Sequence, residues 1–193
     1  MTKKKSVRNC LAVVLLASCF VVTQSGVTSA WTPTSPQGAV SVFGGILQDS
    51  SYSIAIDSSG NLYTTGSFRG TTDFNPGSGI ANLTSTGDRE TNVFVSKLDA
   101  SGNYVWARSF GGCCVYGLSV AVDSSGNVYT TGYFGGTADF DPGAGVSNLA
   151  AVGSTAVFVS KLDASGNYVW AKKFDSNAQG IGYSVAVDSS GNV

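Results

Sequence analysis

The sequence contains no histidine, and this absence excludes several classes of chemistry. Without an imidazole the chain cannot build a Ser-His-Asp or Cys-His arrangement. It also lacks the commonest zinc ligand and the commonest general base at neutral pH. We therefore predict no catalytic residue in this chain, and we predict that it is not an enzyme.

Cysteine is also scarce, with four in 193 residues. Cys10 and Cys19 lie near the N-terminus, and Cys113 and Cys114 are adjacent, so a framework of structural disulfides is excluded. In an exported protein the adjacent pair could form a strained vicinal disulfide, bond another chain or remain as two thiols. The sequence leaves these three alternatives open.

Amphipathic helical stretches rich in Leu, Glu, Lys and Ala are missing after the first thirty positions. Strand-forming Val, Thr, Tyr and Phe are plentiful instead, and 25 glycines supply turns. Charged residues make up only 12% of the chain. The composition therefore predicts an all-β protein.

The first thirty residues have the layout of a secretory signal. A basic stretch over residues 3–8 precedes an apolar run over residues 11–22, and small residues lead to Ala30. We expect cleavage after Ala30. Alternatively, the sequence Leu-Ala-Ser-Cys ending at Cys19 resembles a bacterial lipobox, in which case Cys19 would be lipidated. Both interpretations predict a secreted or cell-envelope protein, with membrane contact only through a lipid anchor.

The net charge of the mature chain disfavours nucleic acid as a partner. Removal of the leader takes away four of the 11 basic residues and none of the 12 acidic ones. This leaves 7 basic against 12 acidic residues, a net charge of −5. Because nucleic-acid binding depends on positive charge, we expect no such partner.

An internal repeat decides the predicted architecture. The sequence Asp-Ser-Ser-Gly-Asn occurs three times, beginning at Asp57, Asp123 and Asp188, which gives steps of 66 and 65 residues. Residues 93–107 recur without change as residues 157–171. A fixed period of this length indicates an array of equivalent structural units.

Each repeat contains four strand signals that are short, β-branched or aromatic, and bounded by turn residues. The first and last pairs are joined by tight turns containing Gly and Asn, and the middle pair by the long segment 69–92. A four-stranded unit cannot bury both faces alone, but stacking such units around an axis does so. We therefore predict β-propeller blades in an incomplete ring. The signals in the first repeat are Tyr52–Asp57, Leu62–Phe68, Val93–Leu98 and Tyr104–Phe110.

The predicted organisation is a signal peptide over 1–30, a linker over 31–37 and propeller repeats over 38–193. Blade one spans about 52–112, blade two about 118–176, and a third begins at about 183. Because Val193 matches the start of a second strand, we expect a fragment of a longer array. Residues expected between blades are Phe94, Leu98, Val105 and Trp106, with their equivalents Phe158, Leu162, Val169 and Trp170.

The repeat resembles the bacterial β-propeller repeat family known as SBBP, from about Tyr52 to the end of the chain. The resemblance implies a seven-bladed ring and extracellular or envelope placement, and it implies no agreed activity. The residues that carry it are Asp123, Gly126, Asn127, Val128, Tyr129, Thr131 and Gly132, followed by Lys161, Leu162, Asp163, Gly166, Asn167 and Trp170.

Two Asp-Phe-Asx-Pro-Gly loops offer the best candidate for a metal site. Asp73 with Asn75, and Asp139 with Asp141, place two oxygen ligands ahead of a sharp turn, as calcium loops do. The alternative is a plain Asx turn. A glycosidase pair, such as Asp139 with Asp141, is disfavoured because the motif repeats, whereas an active site is normally assembled once. No cofactor other than calcium is predicted.

The function favoured by the sequence is binding of an extracellular protein or carbohydrate. The long loops Arg69–Asn92 and Phe134–Ala156 would form a repeated rim on a rigid scaffold, where recognition is usually placed. One alternative is a fragment of an extracellular polysaccharide lyase or glycosidase whose catalytic residues lie outside this chain. Another is a truncated product without function.

Overall fold

The computed structural model describes residues 10–11, 44–87, 90–175 and 177–193, and all regular structure in these ranges is β-strand. Ala30, Cys19 and the predicted linker lie outside the described residues. The described part contains no helix long and apolar enough to cross a membrane. The strands are β1 (Cys10–Leu11), β2 (Gly44–Gly45), β3 (Asp49–Ile56), β4 (Leu62–Phe68), β5 (Thr71–Asp73), β6 (Asn82–Thr84), β7 (Asn92–Leu98), β8 (Tyr104–Val122), β9 (Val128–Asp139), β10 (Asn148–Ala150), β11 (Ala156–Leu162) and β12 (Tyr168–Phe174).

The strands form two equivalent antiparallel units of four, which we call the first and second units. The first unit has the order β3, β4, β7 and the first half of β8. The second unit has the order second half of β8, β9, β11 and β12. At the outer side of the first unit, β1 pairs with β3 in parallel. The predicted all-β blades are confirmed.

The predicted end of the strand Tyr104–Phe110 is wrong, because β8 runs without interruption from one unit into the next. Its first half pairs with β7, from Tyr104 opposite Leu98 to Gly111 opposite Asn92. Gly111 also pairs with Asp139 of β9, so the ladder continues into the second unit. Cys113 and Cys114 accordingly lie inside a strand instead of a link.

Each unit carries an outer hairpin on the segment that joins its second and third strands. In the first unit β5 pairs with β6 and with β2, where Gly44 lies opposite Asp73. In the second unit the end of β9 pairs with β10, and Gly111 lies opposite Asp139. The hairpins are therefore built in the same way in both repeats.

Aromatic side chains fill each unit and join it to the next. Phe94, Leu98, Trp106, Phe158 and Leu162 are buried, in agreement with the sequence. Trp170 is half-buried. Val105 and Val169 were expected between blades, and this prediction is wrong, since they are 45% and 46% exposed. The two valines are almost equally exposed at equivalent positions, so partial exposure of this position is a property of the repeat.

Phe110 is the clearest contact between the two units in the core. It lies at the end of the part of β8 that pairs with β7, yet its ring packs against Phe140 and Phe158 of the second unit. The ring centroids are 5.5 Å and 6.0 Å apart. All three rings are 2% exposed or less. Burial of this aromatic group fixes the outer hairpin of the second unit against the first unit.

Candidate functional site

The Asp-x-Ser-Gly-Asn turns are closed by their own hydrogen bonds. In the first turn, Oδ1 of Asp57 accepts the amides of Ser59 and Asn61, both at 2.9 Å. Oδ2 accepts Nδ2 of Asn61 at 2.8 Å and the hydroxyl of Tyr63 at 3.0 Å. The turn at Asp123 repeats all four bonds. These acids therefore stabilise the turns in which they lie.

The same hydrogen bonds set the acidity of the turn carboxylates. Partial burial would raise the pKa of Asp57, but bonds from Asn61, Tyr63 and Ser59 lower the pKa overall. The pKa of Asp123 is lowered in the same way, against a burial effect that acts upwards. Hydrogen bonds from the Asn103 side chain and amide lower the pKa of Asp99.

We expect these shifts to make stability fall in acid. Because the folded-state pKa values lie below that of an unfolded Asp, the folded chain binds fewer protons, and stability rises with pH through this range. The free energy of unfolding should be constant between about pH 7 and 5 and should fall below about pH 4. Urea unfolding at a series of pH values tests this. The double variant Asp57→Asn/Asp123→Asn should show a shallower acid decline, and an unchanged decline contradicts the assignment.

The two Asp-Phe-Asx-Pro-Gly loops have the hydrogen bonds of Asx turns. Oδ1 of Asp73 accepts the amides of Asn75 at 3.0 Å and Ala81 at 2.9 Å, and Oδ1 of Asn75 accepts the amide of Gly77 at 2.8 Å. Asp139 and Asp141 repeat this pattern in the second unit. Within the described ranges no group of three or more Cys, Asp and Glu residues is placed to hold a metal. Calcium at Asp73, Asn75, Asp139 and Asp141 stays a prediction.

A surface cleft lies beside each of these loops. The first cleft, of about 370 Å³, separates residues 75–79 from the turn at residues 102–104. The second cleft, of about 240 Å³, separates residues 141–143 from residues 166–168 and is also lined by Arg108. Sequence reasoning missed both clefts, because they join segments about 25 residues apart whose contact depends on the fold.

The two clefts differ in the hydrogen bonds of the tyrosine that lines each of them. Tyr104 in the first cleft accepts the amide of Ala107 at 3.0 Å, and Tyr168 in the second accepts the amide of Ala171 at 3.0 Å. The hydroxyl of Tyr168 also bonds Oγ of Ser147 at 2.5 Å. Ala81 stands at that position in the first unit, so Tyr104 has no such contact.

The outer hairpins expose apolar side chains at equivalent positions. Ile80 is 78% exposed and Val146 is 73% exposed, each five residues after Asn75 or Asp141. We call the two hairpins, residues 71–84 and 137–150, the rim. Their bases are buried, since Phe74 and Phe140 are both 0% exposed. Both hairpins lie within the predicted loops Arg69–Asn92 and Phe134–Ala156, and the sequence analysis did not identify their apolar tips.

Cys114 and the charged side chains of the described residues complete the survey of candidate groups. Cys114 is exposed, and the three alternatives for the pair with Cys113 stay predictions. Among charged groups, Lys173 and Asp175 form an ion pair at the end of β12. Arg108 donates to the carbonyl oxygens of Ala107, Ser165 and Gly166 at 3.0–3.1 Å and so acts as a structural contact between the units.

Comparison with known proteins agrees with this architecture. Residues 43–67, which include β3 and all but the last residue of β4, match the family model described as the SBBP beta-propeller repeat. The chain is similar to an uncharacterised WD repeat-containing protein of Acanthamoeba polyphaga mimivirus, with 32% identity over 150 residues. That match covers 72% of this chain and 11% of the much longer relative. The chain therefore contains an SBBP β-propeller repeat at residues 43–67, and its all-β, four-stranded units agree with the architecture of an incomplete propeller.

Proposed function

We propose that this chain is an exported, non-catalytic propeller scaffold that binds an extracellular protein or carbohydrate through its rim. The observation that carries the proposal is the exposure of Ile80 and Val146 at the same position of successive hairpins. Single exposed apolar side chains are common. Here two of them occupy the same position of successive hairpins, and this repetition supports a shared role in contact.

The rim is suited to binding because it is held in place before any partner arrives. Phe74 packs against Phe68 and Phe94 at ring distances of 5.4 Å and 4.8 Å, which anchors the first hairpin. Two bonds from the turn amides to Asp73 close its tip. A surface that is already ordered loses little conformational entropy on binding, so more of the contact energy appears as affinity.

Export and the absence of catalysis belong to the same proposal. The signal-like layout of residues 1–30 supports export, with either cleavage after Ala30 or lipidation of Cys19. The lack of histidine supports a binding role. The carboxylates of Asp139 and Asp141 accept turn amides, an arrangement that supports a structural role for them.

Removal of the apolar tips should weaken recognition without unfolding the chain. We expect the double variant Ile80→Ser/Val146→Ser to bind at least about tenfold more weakly, because exposed anchor residues dominate contact energies. The full chain is tested against immobilised envelope polysaccharides and envelope proteins of the producing organism. The matched control is Val105→Ser/Val169→Ser, which removes two apolar side chains that are 45% and 46% exposed on β8 and β12.

The proposal fails if both double variants bind as the unmodified chain does, or if the unmodified chain binds no member of the panel. Equal losses in both variants would also contradict it, because they would locate recognition away from the rim.

A further inference from the structure

We propose that the first cleft is a binding site for one uncharged sugar unit, held by Asn75, Asn103 and Tyr104. This inference rests on the proposed binding function and narrows it to a ligand class and a place. Its volume of about 370 Å³ lies within the range of about 300–1,000 Å³ that is typical of small-molecule sites.

Three polar groups in this cleft are left available for a ligand. Oδ1 of Asn75 accepts the amide of Gly77, which leaves its Nδ2 as a donor. Nδ2 of Asn103 donates to Asp99, which leaves its Oδ1 as an acceptor. Tyr104 accepts the amide of Ala107, and within the described residues its hydroxyl hydrogen has no acceptor.

This set of groups matches the chemistry of a neutral sugar. Two donors and one acceptor around a small space can serve neighbouring hydroxyl groups, each of which both donates and accepts. The half-buried ring of Tyr104 and the ring of Pro76 supply apolar surface for the C–H face of a sugar ring. The lining residues are all uncharged, so nothing in the cleft favours an ionic ligand.

Gly77 and Gly79 in the lining of the first cleft leave room for the side chain of Asn75. A Cβ atom at Gly79 would overlap Nδ2 of Asn75, and a Cβ at Gly77 would stand 3.2 Å from its Oδ1. Any larger residue at position 79 would therefore displace the amide group that is offered to the ligand. The glycines thus preserve both the space and the orientation of Asn75.

The second cleft has the same backbone but different chemistry, and it serves as an internal control. The hydroxyl of Tyr168 is engaged by Ser147, and Asp141 replaces Asn75. The guanidinium of Arg108 also lines the second cleft, whose volume is only about 240 Å³. We therefore assign sugar binding to the first cleft alone.

The test introduces into the first cleft the residues that stand at the equivalent positions of the second cleft. The methyl glycosides of glucose, galactose and mannose are titrated against the full chain by saturation-transfer NMR. We expect saturable binding of at least one glycoside. Ala81→Ser and Asn75→Asp should each weaken it by about three- to tenfold, the effect of losing one hydrogen bond. The control variants Ser147→Ala and Asp141→Asn, in the second cleft, should change affinity by less than about twofold.

These variants are preferred to Tyr104→Phe, which also deprives the Ala107 amide of its acceptor and so threatens folding. Both transferred residues are already accommodated at the equivalent positions of the second unit. The inference is overturned if no glycoside binds saturably, if Ala81→Ser and Asn75→Asp have no effect, or if the control variants lose as much. Loss of rim binding by Ile80→Ser/Val146→Ser is measured separately, so the proposed function survives if only the sugar assignment fails.

Discussion

Gly132→Ala is expected to destabilise the fold more than any other substitution proposed here. Gly132 lies in the middle of β9, opposite Gly117 of β8 and Phe158 of β11. A Cβ atom there would overlap the carbonyl oxygen of Tyr116 and would approach Cε1 of Phe158 to 3.1 Å. The backbone of β8 cannot move away, because it is paired with β9 on both sides of the irregularity between Gly117 and Ser119. We expect the free energy of unfolding to fall by more than about 4 kcal/mol.

Gly136→Ala is the matched control for this experiment. Gly136 lies in the same strand, and a Cβ atom there meets nothing within 4 Å. Its φ of +63° still favours glycine, so alanine should cost about 1–2 kcal/mol. Urea unfolding followed by circular dichroism measures both variants. A Gly132→Ala chain within about 1 kcal/mol of the unmodified protein would contradict the packing argument.

Trp106→Ala should produce the second largest loss, of about 3–5 kcal/mol in the free energy of unfolding. Trp106 is 6% exposed, and its Nε1 donates to the carbonyl oxygen of Ala164 in the second unit at 3.2 Å. Its ring packs edge-on against Tyr63 with centroids 6.3 Å apart, and a Cβ atom at Gly166 would approach its Cδ2 to 3.1 Å. Alanine would leave a cavity between the two units and an unpaired carbonyl group.

Trp170→Ala tests whether this loss comes from the contact between units. Trp170 has the same position in the second unit and packs against Tyr129 at 6.2 Å, but it is only half-buried. We expect it to cost about 1–2 kcal/mol, since less area returns to water. Equal losses in the two variants, measured by urea unfolding, would show that docking on Ala164 contributes little.

The strands were predictable because the repeat displays each of them twice. The predicted Leu62–Phe68 coincides with β4, and Val93–Leu98 begins one residue after β7 does. Phe94, Trp106 and Phe158 were identified as core because large aromatic residues recur at fixed positions. Period and residue type are local properties of the sequence, so they suffice to locate these strands.

The errors concern features that only the neighbouring unit decides. Val105 resembles a core residue by type, but it lies on the last strand of its unit, where it is 45% exposed. The continuation of β8 past Phe110 depends on Gly111 pairing with Asp139, which is 28 positions further along the chain. A glycine pair read in isolation indicates a turn, whereas a partner strand makes it part of a ladder.

The candidate site was predictable in outline and not in detail. The sequence located the hairpins and the Asx turns, whose Pro and Gly residues act locally. It could not show that residues 75–79 face the turn at residues 102–104, or that Ala81 instead of Ser147 leaves a tyrosine hydroxyl available. The effect of a residue difference between the two repeats can be inferred only once the structure shows which groups that residue contacts.

The contact of Trp106 with the second unit also has a consequence for folding during synthesis. Its acceptor, Ala164, is 58 residues further along the chain, and Arg108 reaches the same turn at Gly166. On a ribosome the first unit therefore emerges complete in sequence but without the surface that covers its indole ring. The first unit therefore has this apolar surface open to chaperones and proteases until the second unit has been synthesised.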